Sequence, residues 1–141
     1  MRKYFIIIAL GLVGCASSYG NFITEATPTT LNETLATDTL KQLVTLYPPA
    51  RTHFTIGHPT ADKYGAALVK TLREKGYSIL EYNAATAAKQ ESGLSLRYVL
   101  DSPTKGLYRL TVIAGAKPLT RAYVEQNSII APAGAWVQRE Q

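Results

Sequence analysis

The sequence predicts a small single α+β domain, with one or two helices packed on a mostly antiparallel sheet, behind a signal peptide and a flexible tether. Three observations predict it. The chain opens on a charged tip and a short apolar run that ends in Gly14-Cys15. Two segments of helical periodicity occupy the first half. Closely spaced alternating segments, separated by turn residues, fill the second half.

Arg2 and Lys3 precede an unbroken run without charge over residues 5–13, and Gly14 and Cys15 follow. A positive tip, an apolar core and a small residue at the cut site describe a secretory signal over residues 1–14. The run is far short of the roughly 20 residues that a spanning helix needs. Leu12-Val13-Gly14-Cys15 has the form of the bacterial lipobox. There the Cys sulfur takes a diacylglycerol, the peptidase cuts ahead of it, and the new amino terminus is acylated. Cys15 is therefore the expected lipidation site, and this covalent lipid is the only cofactor expected. Several acyl chains hold a protein stably to a membrane where one does not. Ala16 rather than Asp follows the Cys, which points to sorting to the outer membrane, with the domain facing the periplasm. With one Cys in the chain, no intramolecular disulfide is available, although the compartment permits one.

Losing Arg2 and Lys3 with the signal takes the basic count from 15 to 13 against 10 acidic residues, a mature net charge of about +3. So mild a balance gives no reason to expect nucleic acid, whose binding domains concentrate their basic residues. The mature length suits one domain and not two.

Residues 15–30, with the lipidated Cys at their head, are rich in Ser, Thr, Gly and Asn and read as a tether. The domain follows over residues 31–141. Leu31, Leu35, Leu40, Leu43, Val44 and Leu46 fall near helical spacing, predicting a leading helix over about residues 31–46. Thr30 and Glu33 have the form of a capping box, and Pro48-Pro49 ends the helix. Residues 51–56 are a short strand. Pro59-Thr60 opens a second helix, with Ala61, Tyr64, Gly65, Leu68 and Leu72 on one face and Gly76 as its left-handed cap. Gly65 in mid-helix points to close approach to a sheet. Residues 77–82 are the next strand and residues 83–93 a flexible connection. A meander follows: a strand over 94–100, a turn over 101–106, a strand over 107–114, a turn at Gly115-Ala116, a strand over 119–126, a turn at Asn127-Ser128, and a last strand over 129–138.

A catalytic reading needs a nucleophile, a base and a means of stabilising charge. The one Cys is spent on lipid. His53 and His58 have no cysteine or helical His-x-x-x-His companion, so a zinc site is not expected. Asp62, Glu74, Glu81, Asp101 and Glu125 form no evident acid–base pair. Neither a phosphate loop nor a nucleophile elbow is present. No enzyme activity and no small-molecule substrate are expected.

What remains is surface. Arg97, Arg109 and Arg121 each lie in mid-strand of successive strands. A three-residue loop at residues 115–117 would align them as one cationic docking face; a two-residue loop would split them, because one step of register flips every side chain. The bland alternative is a solvated sheet face. Tyr47, Tyr64, Tyr77, Tyr82, Tyr98, Tyr108 and Tyr123 are a heavy tyrosine load, expected mostly at the edge of the core, with Trp136 as a core plug.

Leu46-Tyr47-Pro48-Pro49, Gly65-Ala66-Ala67-Leu68, Lys75-Gly76-Tyr77, Leu96-Arg97-Tyr98-Val99-Leu100-Asp101, Gly106-Leu107-Tyr108-Arg109, Arg121-Ala122-Tyr123 and Pro132-Ala133-Gly134-Ala135-Trp136 together resemble the TrbH family of conjugal transfer proteins. The ordered series carries the resemblance, since no single block carries chemistry. It implies a lipoprotein of the mating-pair-formation apparatus, a type IV secretion system, that anchors or braces channel core proteins at the envelope. The family offers no catalytic residues, and only Cys15 transfers as a functional position. The alternative from the residues alone is a stand-alone envelope-binding module for peptidoglycan or lipopolysaccharide.

Overall fold

The computed structural model describes residues 18–87 and 92–140. The expected signal peptide, its lipobox residues Leu12, Val13 and Gly14, and Cys15 lie outside the described residues. The elements run β1 (Gly20–Asn21), α1 (Leu31–Leu46), a 3-10 turn (Pro49–Arg51), β2 (His53–Ile56), α2 (Lys63–Lys75), β3 (Ser78–Leu80), β4 (Leu94–Thr104), β5 (Leu107–Ala114), β6 (Lys117–Gln126), β7 (Ile129–Pro132) and β8 (Val137–Gln138). The strands form one sheet in the order β3-β2-β4-β5-β6-β7, with β1 also on β4 and β8 also on β6. Pairing is antiparallel from β4 onward and parallel among β1, β2, β3 and β4. This is the α+β architecture that the periodicities predict, with two helices on one face.

Both helices follow from their apolar spacing, but their starts differ from the sequence reading. In α1, Leu31, Leu35, Ala36, Thr39 and Leu43 are buried as one stripe. Thr30 is its N-cap but sits in the right-handed helical region and makes no side-chain capping bond, so no capping box forms with Glu33. The entering chain instead closes through backbone, Leu31 N–H donating to the Pro28 carbonyl at 3.1 Å. In α2 the start is Lys63 rather than Pro59-Thr60. Asp62 stands in the extended conformation and its Oδ1 accepts the Gly65 N–H at 2.9 Å, satisfying an N–H that has no partner within the helix. At the other end Gly76 has φ +104°, and the Tyr77 N–H closes on the Leu72 carbonyl at 3.1 Å. That closure turns the Tyr77 ring onto Phe54, 5.1 Å between centroids, with its hydroxyl donating to the Tyr47 carbonyl at 2.5 Å.

Three more boundaries depart from the sequence reading. β4 runs on through Asp101 to Thr104, with its register against β5 shifting between those residues. Pro103, which has no N–H to donate, sits in that irregularity, and the turn shrinks to Lys105-Gly106. The last strand is broken into β7 and β8. The tether also ends earlier than composition suggests, because β1 pairs with Val99 and Leu100. β2 covers β4 only over Leu94 to Leu96, which leaves backbone groups on the same edge in need of partners. The Phe22 N–H supplies one, donating to the Leu100 carbonyl at 2.8 Å, and Ile23 packs on the core behind it.

The sheet alternates cleanly. Leu96, Tyr98, Leu100, Tyr108, Leu110, Val112, Ala114, Leu119 and Tyr123 are buried beneath the helices. Arg97, Val99, Arg109, Thr111, Ile113, Pro118 and Thr120 form the other face, which no helix covers. Ser92, just ahead of β4, lies on that open face near β2: the Thr55 hydroxyl, directed there by its pairing with Ser95, donates to the Ser92 carbonyl.

Gly65 is buried, and the space a β-carbon would need there is taken by the Tyr98 hydroxyl, Thr60 and the Asp62 carboxylate. Gly65→Ala gains up to about 1 kcal/mol of helix propensity. It loses more, since overpacking costs about 1–3 kcal/mol and the Tyr98–Asp62 bond has to shift. Urea denaturation should show a net loss of stability; a gain would mean that the site has room.

Candidate functional site

The three arginines divide. Ala114 pairs with Lys117, so the hairpin between β5 and β6 is a two-residue loop, with Gly115 at φ +62° as a type II′ turn requires. Arg121 consequently stands opposite Leu110 on the helix-covered face, whereas Arg97 stands opposite Ile113 on the open one, the face it shares with Arg109. No common cationic stripe exists.

Each arginine has its own partners. On the helix side Arg121 Nη1 reaches both carboxylate oxygens of Asp38 on α1, at 3.2 and 3.0 Å, and its Nε donates to the Gly134 carbonyl at 2.8 Å. The guanidinium also lies 5.9 Å from the centroid of Trp136, which is half-buried against the outside of the core rather than plugged into it. The Tyr123 hydroxyl donates to the same Asp38 at 2.5 Å. On the open face Arg109 grips Asp101 with two bonds, 3.0 and 2.6 Å, across the β4–β5 pair. Arg97 Nη1 donates to the Tyr19 hydroxyl at 2.8 Å, and its Nη2 to the Gly115 carbonyl at 3.2 Å. With Val99, Thr111, Thr120 and Arg139, the Asp101–Arg109 pair lines a shallow groove of about 490 Å³.

The tyrosines are more deeply placed than edge packing implies. Tyr64, Tyr98 and Tyr123 are fully buried. Tyr64 meets the Tyr98 ring edge-on at 4.8 Å, and its hydroxyl lies 3.0 Å from that of Thr39. Tyr98 donates to Asp62. Burial raises all three phenols far above their ordinary range; the carboxylates that accept from Tyr98 and Tyr123 raise those two further. Tyr108 is pushed up to about 12 by burial and by its 2.8 Å bond to Glu125.

His53 and His58 have separate partners. His53 Nδ1 lies 2.7 Å from the Ser78 hydroxyl. His58 is buried, stacks on Tyr19 with 5.9 Å between centroids and meets the Tyr98 ring edge-on at 4.5 Å. Its Nε2 accepts the Tyr98 N–H at 3.2 Å, so Nδ1 carries the proton and donates to the Pro59 carbonyl at 2.9 Å. Among the described residues, no three His, Cys, Asp or Glu side chains group as metal ligands, and no helix is long and apolar enough to cross a membrane.

Sequence reasoning missed the polar anchors: Asp38 with Arg121 and Tyr123, Asp62 with Tyr98, and Tyr19 with His58 and Arg97. Asp62, three residues ahead of Gly65, carried a usable capping signal. The other two join residues far apart in the chain, with |i−j| of 83 and 85 from Asp38 to Arg121 and Tyr123 and of 78 from Tyr19 to Arg97, and had no local signal.

Fold and site define a small α+β protein whose charged side chains tie strands and helices together and whose open sheet face is left as surface. The chain belongs to the family of the conjugal transfer protein TrbH, whose family model matches residues 16–140. It is thus a conjugal transfer component, of a family not known for enzymes. No curated protein and no solved structure matches it.

Two outcomes follow from the geometry. Asp38→Ala strands Arg121 and Tyr123 together, and loss of hydrogen bonds to a charged group should remove about 1.5–3 kcal/mol. An unchanged urea midpoint would show that water replaces the carboxylate. His58 is held below its ordinary 6.5, chiefly by burial and further by Arg97, against the Pro59 carbonyl and Asp62, which raise it. The unfolded chain then binds the proton first. Stability is full above pH 6.5 and declines as the pH falls from there to the folded-state pKa. His58→Gln should flatten that part of the profile, read as urea midpoints at about pH 7.5 and about pH 5; an identical slope would place the titration elsewhere.

Proposed function

We propose that the chain is an outer-membrane lipoprotein that braces channel core proteins of a conjugative type IV secretion, or mating-pair-formation, apparatus. The observation that carries the reading is the family match over residues 16–140. The lipobox Leu12-Val13-Gly14-Cys15 supplies the anchor, through acyl chains on Cys15, and Ala16 the outer-membrane sorting. The domain faces the periplasm and works by docking, without catalysis, small-molecule substrate or nucleic acid. Anchoring raises its effective concentration at the channel, so a modest affinity suffices. The open face, around the Asp101–Arg109 pair, offers the docking surface, while Arg97 is held by the Tyr19 hydroxyl and the Gly115 carbonyl. Arg121 has no part in it, being committed to Asp38.

Cys15→Ser should move the protein from the membrane to the soluble fraction and lower the frequency of plasmid transfer. Normal transfer by a soluble variant would overturn the reading. Pull-down of the lipidated protein in mild detergent should recover channel subunits in fixed ratio. Sedimentation with purified cell-wall sacculi in their absence would favour an envelope-binding module instead.

A further inference from the structure

We infer that β1 and Tyr19 form a strap that presses one end of the sheet against the lipid surface and so fixes which end of the domain a partner meets. The inference rests on lipidation at Cys15. Tyr19 is clamped from two sides: its ring stacks on the buried His58, and the Arg97 guanidinium lies 4.8 Å from the ring centroid while donating to its hydroxyl at 2.8 Å. Arg97 is itself braced against the Gly115 carbonyl. Behind Tyr19, β1 pairs with Val99 and Leu100, and Ile23 packs on the core.

Chain length makes this docking consequential. Four peptide steps join Cys15 to Tyr19, about 14 Å when extended. Were the chain free until α1, sixteen steps would reach about 55 Å, and the domain would tumble without orientation. With the strap docked, the end of the sheet at the start of β4 lies beside the bilayer. Gly57, Pro59 and Ala116 are exposed around the clamp without charge, and the exposed Lys117 stands next to Ala116. Such a rim buries no carboxylate against the headgroups, and its one ammonium suits anionic lipid. β4 then runs eleven residues away from the membrane, about 35 Å. It ends at the Lys105-Gly106 turn, beside the Asn127-Ser128 turn and the exposed Ile129. That far end is the one held out to a periplasmic partner.

The test uses the mature lipidated protein in vesicles of phosphatidylethanolamine and phosphatidylglycerol that carry a headgroup acceptor dye. Because the Cys15 thiol is blocked by lipid, a donor dye goes on the sole free thiol of Ala116→Cys or, separately, Lys105→Cys. Energy transfer should be several-fold higher from position 116 than from position 105. Tyr19→Ala should bring the two together, and Tyr19→Phe, which keeps the ring, should bring them only part of the way. Equal transfer in the otherwise unaltered chain, or a difference that Tyr19→Ala leaves intact, overturns the strap while the anchor stands. A protein that fails to float with the vesicles overturns the anchor, and the orientation with it.

Discussion

The fold depends on two carboxylates placed between helix and sheet. Asp38 from α1 takes the Tyr123 hydroxyl and the Arg121 guanidinium, and Asp62 at the head of α2 takes the Tyr98 hydroxyl and the Gly65 N–H. An apolar stripe alone holds a helix on a sheet but leaves it free to slide, because hydrophobic contact has no direction. A charge-assisted bond has both direction and length. With one such carboxylate on each helix, the axial positions of α1 and α2 over β4 and β6 are set. The contact of Tyr64 with both Tyr98 and Thr39 then closes the gap between them.

Periodicity was enough to predict the class of fold, and the reason lies in where the information sits. Leu31, Leu35 and Leu43 mark α1 because helical burial repeats locally, and Leu96, Tyr98 and Leu100 mark β4 for the same reason. The capping box at Thr30 and Glu33 has the right letters, but the backbone there is already helical, so the hydroxyl has nothing to cap. The tether composition of residues 15–30 says nothing of an unpaired edge on β4, which is a property of the assembled sheet. Partners such as Asp38 and Arg121 lie in different halves of the chain, and no local pattern joins them.

The arginines show how one residue of loop length decides which face a side chain joins. With two residues in the Gly115-Ala116 turn, Arg121 becomes a structural tie, and the open face is left with Arg97 and the paired Arg109. That face is mixed rather than basic, and it suits a polar, specific contact better than a general attraction to acidic surfaces. Such a contact fits the docking role proposed for this conjugal transfer component.

The way β1 joins the sheet also bears on mechanics. It lies parallel to β4, along the line from the Tyr19 clamp toward the Lys105-Gly106 turn. Under the proposed anchoring, a pull between the lipid and a partner seated at that turn would run along the strands. Bonds between strands loaded along their axis are sheared together, whereas bonds loaded across it peel one after another. Two residues of strand, backed by the Tyr19 clamp, thus yield as one unit at a threshold force. Beyond that threshold the residues ahead of α1 would pay out as a short length of slack, sparing the rest of the domain.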